Sequence, residues 1–476
     1  MTRFTRRQFL QTSAAVAGST FVISGTKSSG NVLGANDRIR VAVAGLHGRG
    51  KSHMDAFAKL PGVEVSYLVD PDSRQFDPSV KRIEEAGGNT PNTVQDIRKA
   101  LEDPNVDAVT IATPNHWHAL MTIWACEAGK DVYVEKPCSH NIHEGRIAVE
   151  TARKHNCIVQ HGTQSRSNNT WAQIMEVIKS GHYGQLRVAR GLCHKRRTSI
   201  GFKSPEPPPS ALDFDLWLGP APEQSYHGNL VHYNWHWFWD TGNGDIGNQG
   251  VHEMDLARWG IPGATLPKSV VSLGGRFGYE DQGQTANTQV TIFDYGETQL
   301  IFQVRGLETQ REVTAKFHFD DGTIKNDGKF YRTGESQGES IPDVEYSRGP
   351  GGGPFKNFIA AVRSRNVEDL NADILEGHYS SALCHLANIS YRLGEQVPFD
   401  TKRKAFTDNP AASATFAKME EHLVKENGIK LDETQYTLGR HLTVDLQNEA
   451  FVDDQEANAL VTRNYRAPFV VPEKVS

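Results

Sequence analysis

Apolar and polar positions follow two different rhythms along this chain, and the change falls near residue 160. Before it, short unbroken apolar runs alternate with stretches of helical spacing. Ile39 to Ala44 leads into a helix through Leu60, and Val63 to Val69 follows. Val106 to Ile111 precedes a helix over Ala119 to Ala128, Val132 to Glu135 precedes one over His143 to His155, and Ile158 to Gln160 closes the series as an edge strand. Strands that are apolar throughout are buried on both faces, and their alternation with helices predicts a doubly wound parallel sheet in an α/β domain. After residue 160 the runs Leu186 to Cys193, Ser269 to Gly275, Thr288 to Tyr295, Gln299 to Val304 and Thr314 to Phe319 read as strands, several alternating with period two. These predict a second, α+β domain built on a mostly antiparallel open sheet.

The remaining pattern is punctuation and helix. Pro205 to Ser210 is an extended surface loop, Gly349 to Gly353 a connector, and Phe355 to Arg365 and Ile374 to Leu393 are helices. From Pro398 onward the chain turns polar, which predicts an extension with a helix over Ala411 to Asn427 and an irregular tail. A length of 476 residues exceeds one ordinary core. The chain divides into an N-terminal arm at 1–36, a first domain at 37–160, a second at 161–396 and the extension at 397–476.

Charge and cysteines narrow the class. A formal net charge of -6 excludes the basic footprint of a nucleic-acid binder. The five cysteines, Cys126, Cys138, Cys157, Cys193 and Cys384, include no CxxC pair and read as separate thiols, the usage of a cytoplasmic protein. Against that, Arg6-Arg7 precedes a weakly apolar run from Phe9 to Ile23, the arrangement of a twin-arginine export signal. A periplasmic or exported protein is expected, with no membrane segment in the mature form.

Chemistry gathers where strands end. After the first strand comes Gly45-Leu46-His47-Gly48-Arg49-Gly50, a glycine-rich turn at a helix start. Its backbone and the helix N-terminus can cradle phosphate oxygens, although His47 stands where the dinucleotide template has its second glycine. The second strand ends in Asp70-Pro71-Asp72, twenty-five residues beyond Gly45. A carboxylate there accepts ribose hydroxyls and repels a 2′-phosphate, which favours NAD over NADP despite nearby Arg74. The fourth run stops in Glu135-Lys136-Pro137, so a lysine sits at a carboxyl strand end, where open α/β sheets bind ligands. His116 and His118 flank the cofactor at a turn and helix start.

One aromatic and histidine-rich stretch, YNWHWFWDTGNGDIGNQGVHEMD, runs from Tyr233 to Asp255. Aromatic faces stack on sugar C–H faces, so Tyr233, Trp235 and Trp237 are candidate substrate contacts, with core packing the alternative for the tryptophans. His232, His236 and Asp240 are spaced four apart, but a metal site is not expected in so glycine-rich a setting. Lys195, Arg196 and Arg197 form either a solvated basic face or a contact for an acidic substrate.

The glycine loop, Thr113-Pro114-Asn115, Glu135-Lys136-Pro137 and the segment Gly242 to His252, taken in order, resemble the Gfo/Idh/MocA oxidoreductases over about residues 37 to 395. The resemblance implies a Rossmann domain holding NAD through Gly45, His47, Gly48, Arg49, Gly50, Asp70, Asp72, Thr113, Asn115, His118, Glu135 and Lys136. It also implies homo-oligomers formed through the C-terminal sheet. Lys136 would sit by the nicotinamide and His252 would be the general base, oxidising a secondary hydroxyl of a sugar, cyclitol or glycoside. The family's aspartate falls on Asn248, so either Asp245 or Asp255 substitutes, or the base is weaker, or oxidation is not the net reaction. The tryptophan-rich approach is also similar to glycoside hydrolase family 109, where tightly held NAD assists glycoside cleavage. A third reading is a non-catalytic periplasmic sugar-binding protein.

Overall fold

The computed structural model describes residues 38–399 and 409–475. The twin-arginine stretch lies outside them. Six strands, β1 (Ile39–Ala44), β2 (Val63–Val69), β3 (Asn92–Val94), β4 (Ala108–Ile111), β5 (Asp131–Val134) and β6 (Val159–His161), form a parallel sheet ordered β3-β2-β1-β4-β5-β6. The strand order reverses between β1 and β4, and the loops leaving those two strands part to open a crevice. β3 escaped the sequence pattern because it is three residues on a sheet edge, two of them exposed.

Three helices position the crevice. α1 (Arg49–Lys59) buries Met54 and Phe57 against the sheet, and its first turn carries no acidic residue and no side-chain cap. α3 (Ile142–Lys154) starts where the Asn141 side chain accepts the N–H of Glu144. α2 (Asn115–Glu127) is apolar nearly all round, a pattern that requires cover on every side. That cover comes from the end of the chain, where Phe469 packs edge-on to Trp117 with centroids 5.4 Å apart.

The central strands of the second sheet are β7 (Val188–His194), β8 (Ser269–Gly275), β9 (Thr288–Asp294), β10 (Gln299–Arg305) and β11 (Glu312–His318). With β12 (Gly322–Ile324), β13 (Lys329–Arg332), β14 (Glu339–Ser340), β15 (Glu395–Pro398) and β16 (Gln435–Leu438), the order is β14-β13-β12-β11-β7-β10-β9-β8-β16-β15. Pairing is antiparallel except between β7 and β10, which run parallel, the chain having left the sheet between His194 and Ser269 before it returns as β8. α4 (Val251–Trp259) and α6 (Ile374–Arg392) cover one face, burying Met254, Leu383 and Leu386 with Phe302. The helix between them in sequence, α5 (Pro354–Ser364), returns to the first domain and sets Phe358 beside Phe57 and Tyr133.

The extension is not the irregular tail expected. β16 (Gln435–Leu438) and β17 (Leu442–Asp445) add to the edge of the second sheet through β8. Ala412, Met419 and Tyr436 cover Leu273, Val290, Ile292 and Ile301 on its outer face. Polar composition hid these elements, since edge strands keep a solvated side. The face expected to pair subunits is therefore occupied over β8 to β10 by the chain's own extension. Among the described residues no helix is long and apolar enough to cross a membrane.

Candidate active site

A cavity of about 410 Å³ runs along the crevice from Asp70 to His252. Its floor is the glycine turn. Gly45 has φ +83°, and a Cβ there would lie 2.6 Å from the Ala112 carbonyl; one on Gly50 would lie 1.8 Å from the Gly45 oxygen. Gly45 lets the β1 and β4 loops touch at the base of the crevice, Gly50 lets the glycine turn fold on itself, and Gly50 does not line the cavity. Gly48, by contrast, faces open space. The backbone N–H groups of His47, Gly48 and Arg49 have no acceptor among the described residues. Three unpaired donors at the start of α1, with Arg49 beside them, suit a diphosphate. Thr113 adds a buried hydroxyl without a partner in the cavity wall. The residues present thus fit a dinucleotide.

The two acidic candidates for ribose divide. Asp70 lines the cavity, but its carboxylate also accepts the N–H groups of Leu46 and Asp72, both at 2.9 Å, so it braces the glycine turn as well. Burial pushes its pKa up against those two bonds. Asp72 does not line the cavity. It is buried, takes a bidentate pair from Arg74 at 2.8 and 2.6 Å, and lies 2.9 Å from His232 Nε2.

Glu135 acts through Arg49. Its Oε1 accepts from Arg49 Nε at 2.7 Å and lies 3.1 Å from His53 Nε2. Burial alone would raise this carboxyl, yet the bond to His53 and the charge of Arg49 hold it well below the usual range. His118 and Asn115 line the cavity mainly as braces. The His118 ring nitrogens lie 2.5 and 2.8 Å from the carbonyls of Pro137 and Thr113, and the Asn115 amide donates to Asn243 at 3.0 Å.

Lys136 and His252, 116 positions apart in sequence, meet in the same cavity. Lys136 Nζ donates to the backbone oxygen of Asn248 at 2.5 Å. Burial pulls its pKa below the ordinary lysine range, against the pull of Glu135. His252 is lowered to about 3, first by burial and then by the charge of Lys136. It is therefore neutral at pH 7. Its imidazole has no hydrogen-bond partner among the described residues.

That last point closes one alternative. Asp255 shares the helix with His252 but spends its carboxylate on Arg166 Nε at 2.9 Å and on the Ser380 hydroxyl at 2.7 Å. Asp245 is bound by Arg197, with Nε to Oδ2 at 3.0 Å. Neither replaces the missing aspartate. Asn248 lines the cavity in its place.

The aromatic stretch splits as well. Tyr233 and Trp235 line the cavity, Tyr233 with 55 % of its surface exposed at the mouth. Trp237 does not reach it: the ring is 2 % exposed and packs under the Arg276 guanidinium at 4.7 Å. Core packing is its role. His232 was not expected in the site. It stacks on His47 at 4.9 Å while holding Asp72, and so spans the crevice.

A roof completes the cleft. Leu212 pairs with Asp72, Ser73 N–H donates to Ala211 at 3.0 Å, and Asp213 N–H donates to Pro71 at 2.9 Å. This lays Leu216 and Trp217 over the cavity opposite Ile97, Trp117 and Met121. No local pattern in the sequence marks these residues, because a roof is defined by what lies beneath it.

Comparison with known proteins follows this geometry. Residues 39–163 match the Gfo/Idh/MocA oxidoreductase family's NAD-binding Rossmann fold, and residues 198–425 match its C-terminal alpha/beta domain. Among curated relatives, a glycosyl hydrolase family 109 protein of Shewanella pealeana is 28 % identical over 34 % of this chain and 37 % of its own length. One from Saccharopolyspora erythraea is 26 % identical over 40 % of this chain and 45 % of its own. The chain thus spans less than half the length of these relatives. Among solved structures, the WlbA dehydrogenase from Bordetella pertussis, in complex with NADH and UDP-GlcNAcA, shares 18 % identity with a TM-score of 0.57, covering 77 % of this chain and 100 % of that one. Levoglucosan dehydrogenase, in complex with NADH and levoglucosan, shares 16 % with a TM-score of 0.55, covering 74 % and 96 %. At such identities these two speak for the fold alone. The family matches to both domains, in the order the fold presents them, make this chain a member of the Gfo/Idh/MocA oxidoreductase family with that family's NAD-binding Rossmann domain.

Proposed function

We propose that the protein oxidises a secondary hydroxyl of a sugar, cyclitol or glycoside. The observation that carries the reading is the meeting of Lys136 and His252 in one cavity, at the strand ends where a dinucleotide fits. Bound NAD supplies the acceptor for the hydrogen leaving carbon. The protein supplies the proton chemistry. A neutral imidazole at residue 252 can accept the hydroxyl proton, and the Lys136 ammonium stabilises negative charge growing on that oxygen. Tyr233 and Trp235 offer aromatic faces at the mouth for a carbohydrate ring. The sugar-like ligands in the structures of WlbA and levoglucosan dehydrogenase support this substrate class. The Arg6-Arg7 stretch supports export of a folded protein with its cofactor already loaded.

His252→Ala tests the reading. It is expected to slow single-turnover reduction of the nicotinamide by about 100-fold or more while leaving NAD affinity within about threefold. Equal loss of both would make His252 structural and sink the proposal.

A second reading is favoured by two observations, the roof held by backbone bonds about Asp72 and, among the described residues, the absence of a carboxylate on His252. Both suit a cofactor kept in place through a redox-neutral cycle, and the relatives are named as glycosyl hydrolases. Hydrolysis of a chromogenic glycoside without added NAD would establish it, whereas accumulation of NADH in step with substrate consumption excludes it.

A further inference from the structure

Three consecutive basic residues follow β7, and the structure sends them in different directions. Arg196 points outward to Glu308 at 2.8 Å, both side chains mostly exposed. Arg197 turns inward, pairs with Asp245 and donates to the Tyr233 hydroxyl at 3.0 Å. Lys195 also turns inward, but its ammonium finds only a neutral amide, Gln249 Oε1 at 3.3 Å. Gln249 follows Asn248, whose carbonyl takes Lys136. Two ammonium groups therefore lean on adjacent residues of one turn beside His252.

Among the described residues Lys136 and Lys195 form no ion pair, and each carboxylate nearby is committed elsewhere. Asp245 belongs to Arg197, Asp255 to Arg166, and Glu135 to Arg49 and His53. Glu253 accepts the Gln249 amide at 3.4 Å, and burial pushes it up to about 8, so it stays mostly uncharged at pH 7. Lys195 stands outside the cavity lining, but near enough that its charge helps to lower the His252 imidazole. A solvated lysine would point outward, as Arg196 does.

We infer that Lys195 selects a substrate that carries a negative charge, a sugar bearing a carboxylate or phosphoryl group placed beside the reacting hydroxyl. The inference rests on the carbohydrate reading above. An anion between Lys195 and the Gln249 turn neutralises one of the two charges and gives Lys195 the charge-assisted hydrogen bond it lacks. Lysine suits this role because its ammonium is a compact charge that tolerates either acid.

The full-length protein loaded with NAD is titrated calorimetrically with paired sugars: glucose against glucuronate and glucose 1-phosphate, and galactose against galacturonate. The expected result is at least about tenfold tighter binding of an acidic member than its neutral partner, with the preference falling as salt rises. Lys195→Met is expected to bring that ratio near one, Lys195→Arg to restore most of it, and both to keep wild-type melting temperature and NAD affinity. Uronate and phosphate arms distinguish the two sources of charge. Equal binding of the pair, equal weakening of both members by Lys195→Met, or no binding of any acidic sugar overturns the inference. Nicotinamide absorbance read alongside separates the two claims. Neutral sugars that reduce the cofactor while acids do not bind leave the oxidoreductase reading standing without this one, and acids that bind without reducing it do the reverse.

Discussion

Replacing Lys136 with methionine should separate catalysis from stability, with opposite demands on one side chain. On the proposed reading the ammonium stands beside the reacting oxygen, where at about 4 Å and an effective dielectric constant near 20 it lowers the energy of a unit negative charge by about 4 kcal/mol. Removing such a donor costs about 3 kcal/mol in the transition state, or 10²- to 10³-fold in rate. Stability should hardly change. Methionine fills the volume of the lysine stem, and the loss is one hydrogen bond to the Asn248 carbonyl, worth about 1 kcal/mol. Against it stands the gain from no longer burying a charge, since burial holds the Lys136 pKa below 10.5. The sign also fixes a pH trend. Between the lowered folded pKa and 10.5 the unfolded chain binds more protons than the folded one, so wild type gains stability over the variant as pH rises through that window. Stopped-flow nicotinamide absorbance would give the rate, and urea unfolding at pH 7 and pH 9.5 the stability. A rate loss under about tenfold, destabilisation beyond about 2 kcal/mol, or a stability gap moving the other way would refute the reasoning.

Other perturbations probe the scaffold. Gly45→Ala places a Cβ 2.6 Å from the Ala112 carbonyl at φ +83° and is expected to cost about 3 kcal/mol and most NAD affinity, while Gly48→Ala, at φ +50° in open space, costs about 1 kcal/mol. Denaturation with calorimetric NAD titration checks the contrast, and equal effects would contradict it. Phe469→Ala, a 2 % exposed ring against Trp117, should lose about 3 kcal/mol and loosen the cavity wall that Trp117 provides; unchanged urea midpoints would rule out this cover as a stabilising contact. Acid should destabilise early. His116, His194, His252 and His385 are lowered to about 3 and His236 and His318 to about 4, each first by burial. With an ordinary value of 6.5, the unfolded chain takes up protons that the folded chain refuses, so stability is lost as pH falls from 6.5 toward 4. Equal stability at pH 5 and pH 7.5 would contradict that burial.

Much of the site could be read before the fold, and the residues that could not share a cause. Gly45, Gly48, Arg49, Thr113 and Lys136 announced themselves because loops at parallel strand ends need fixed residue types at fixed spacings, and His252 stood out in the aromatic and histidine-rich stretch. Trp237 and Trp235 have equal claims in sequence, and only Arg276, distant in the chain, draws one into the core. Asp255 stands three residues from His252 on one helix, the separation at which side chains meet, yet Arg166 takes it. A strong buried partner outcompetes a helical neighbour, and periodicity carries no record of it.

By itself the sequence determined the local matters: continuous apolar strands that had to be covered on both faces, glycines where two loops touch, and a lysine at the end of β5. The tertiary structure alone decided which charges are spent and which remain. Arginines from distant segments neutralise Asp245, Asp255 and Glu135, a polar-looking tail supplies sheet edge and apolar cover, and residues 211 to 217 roof the cleft. Strand and turn formation depend on a few adjacent residues, whereas ion pairing and burial depend on what the whole chain brings within a few ångströms.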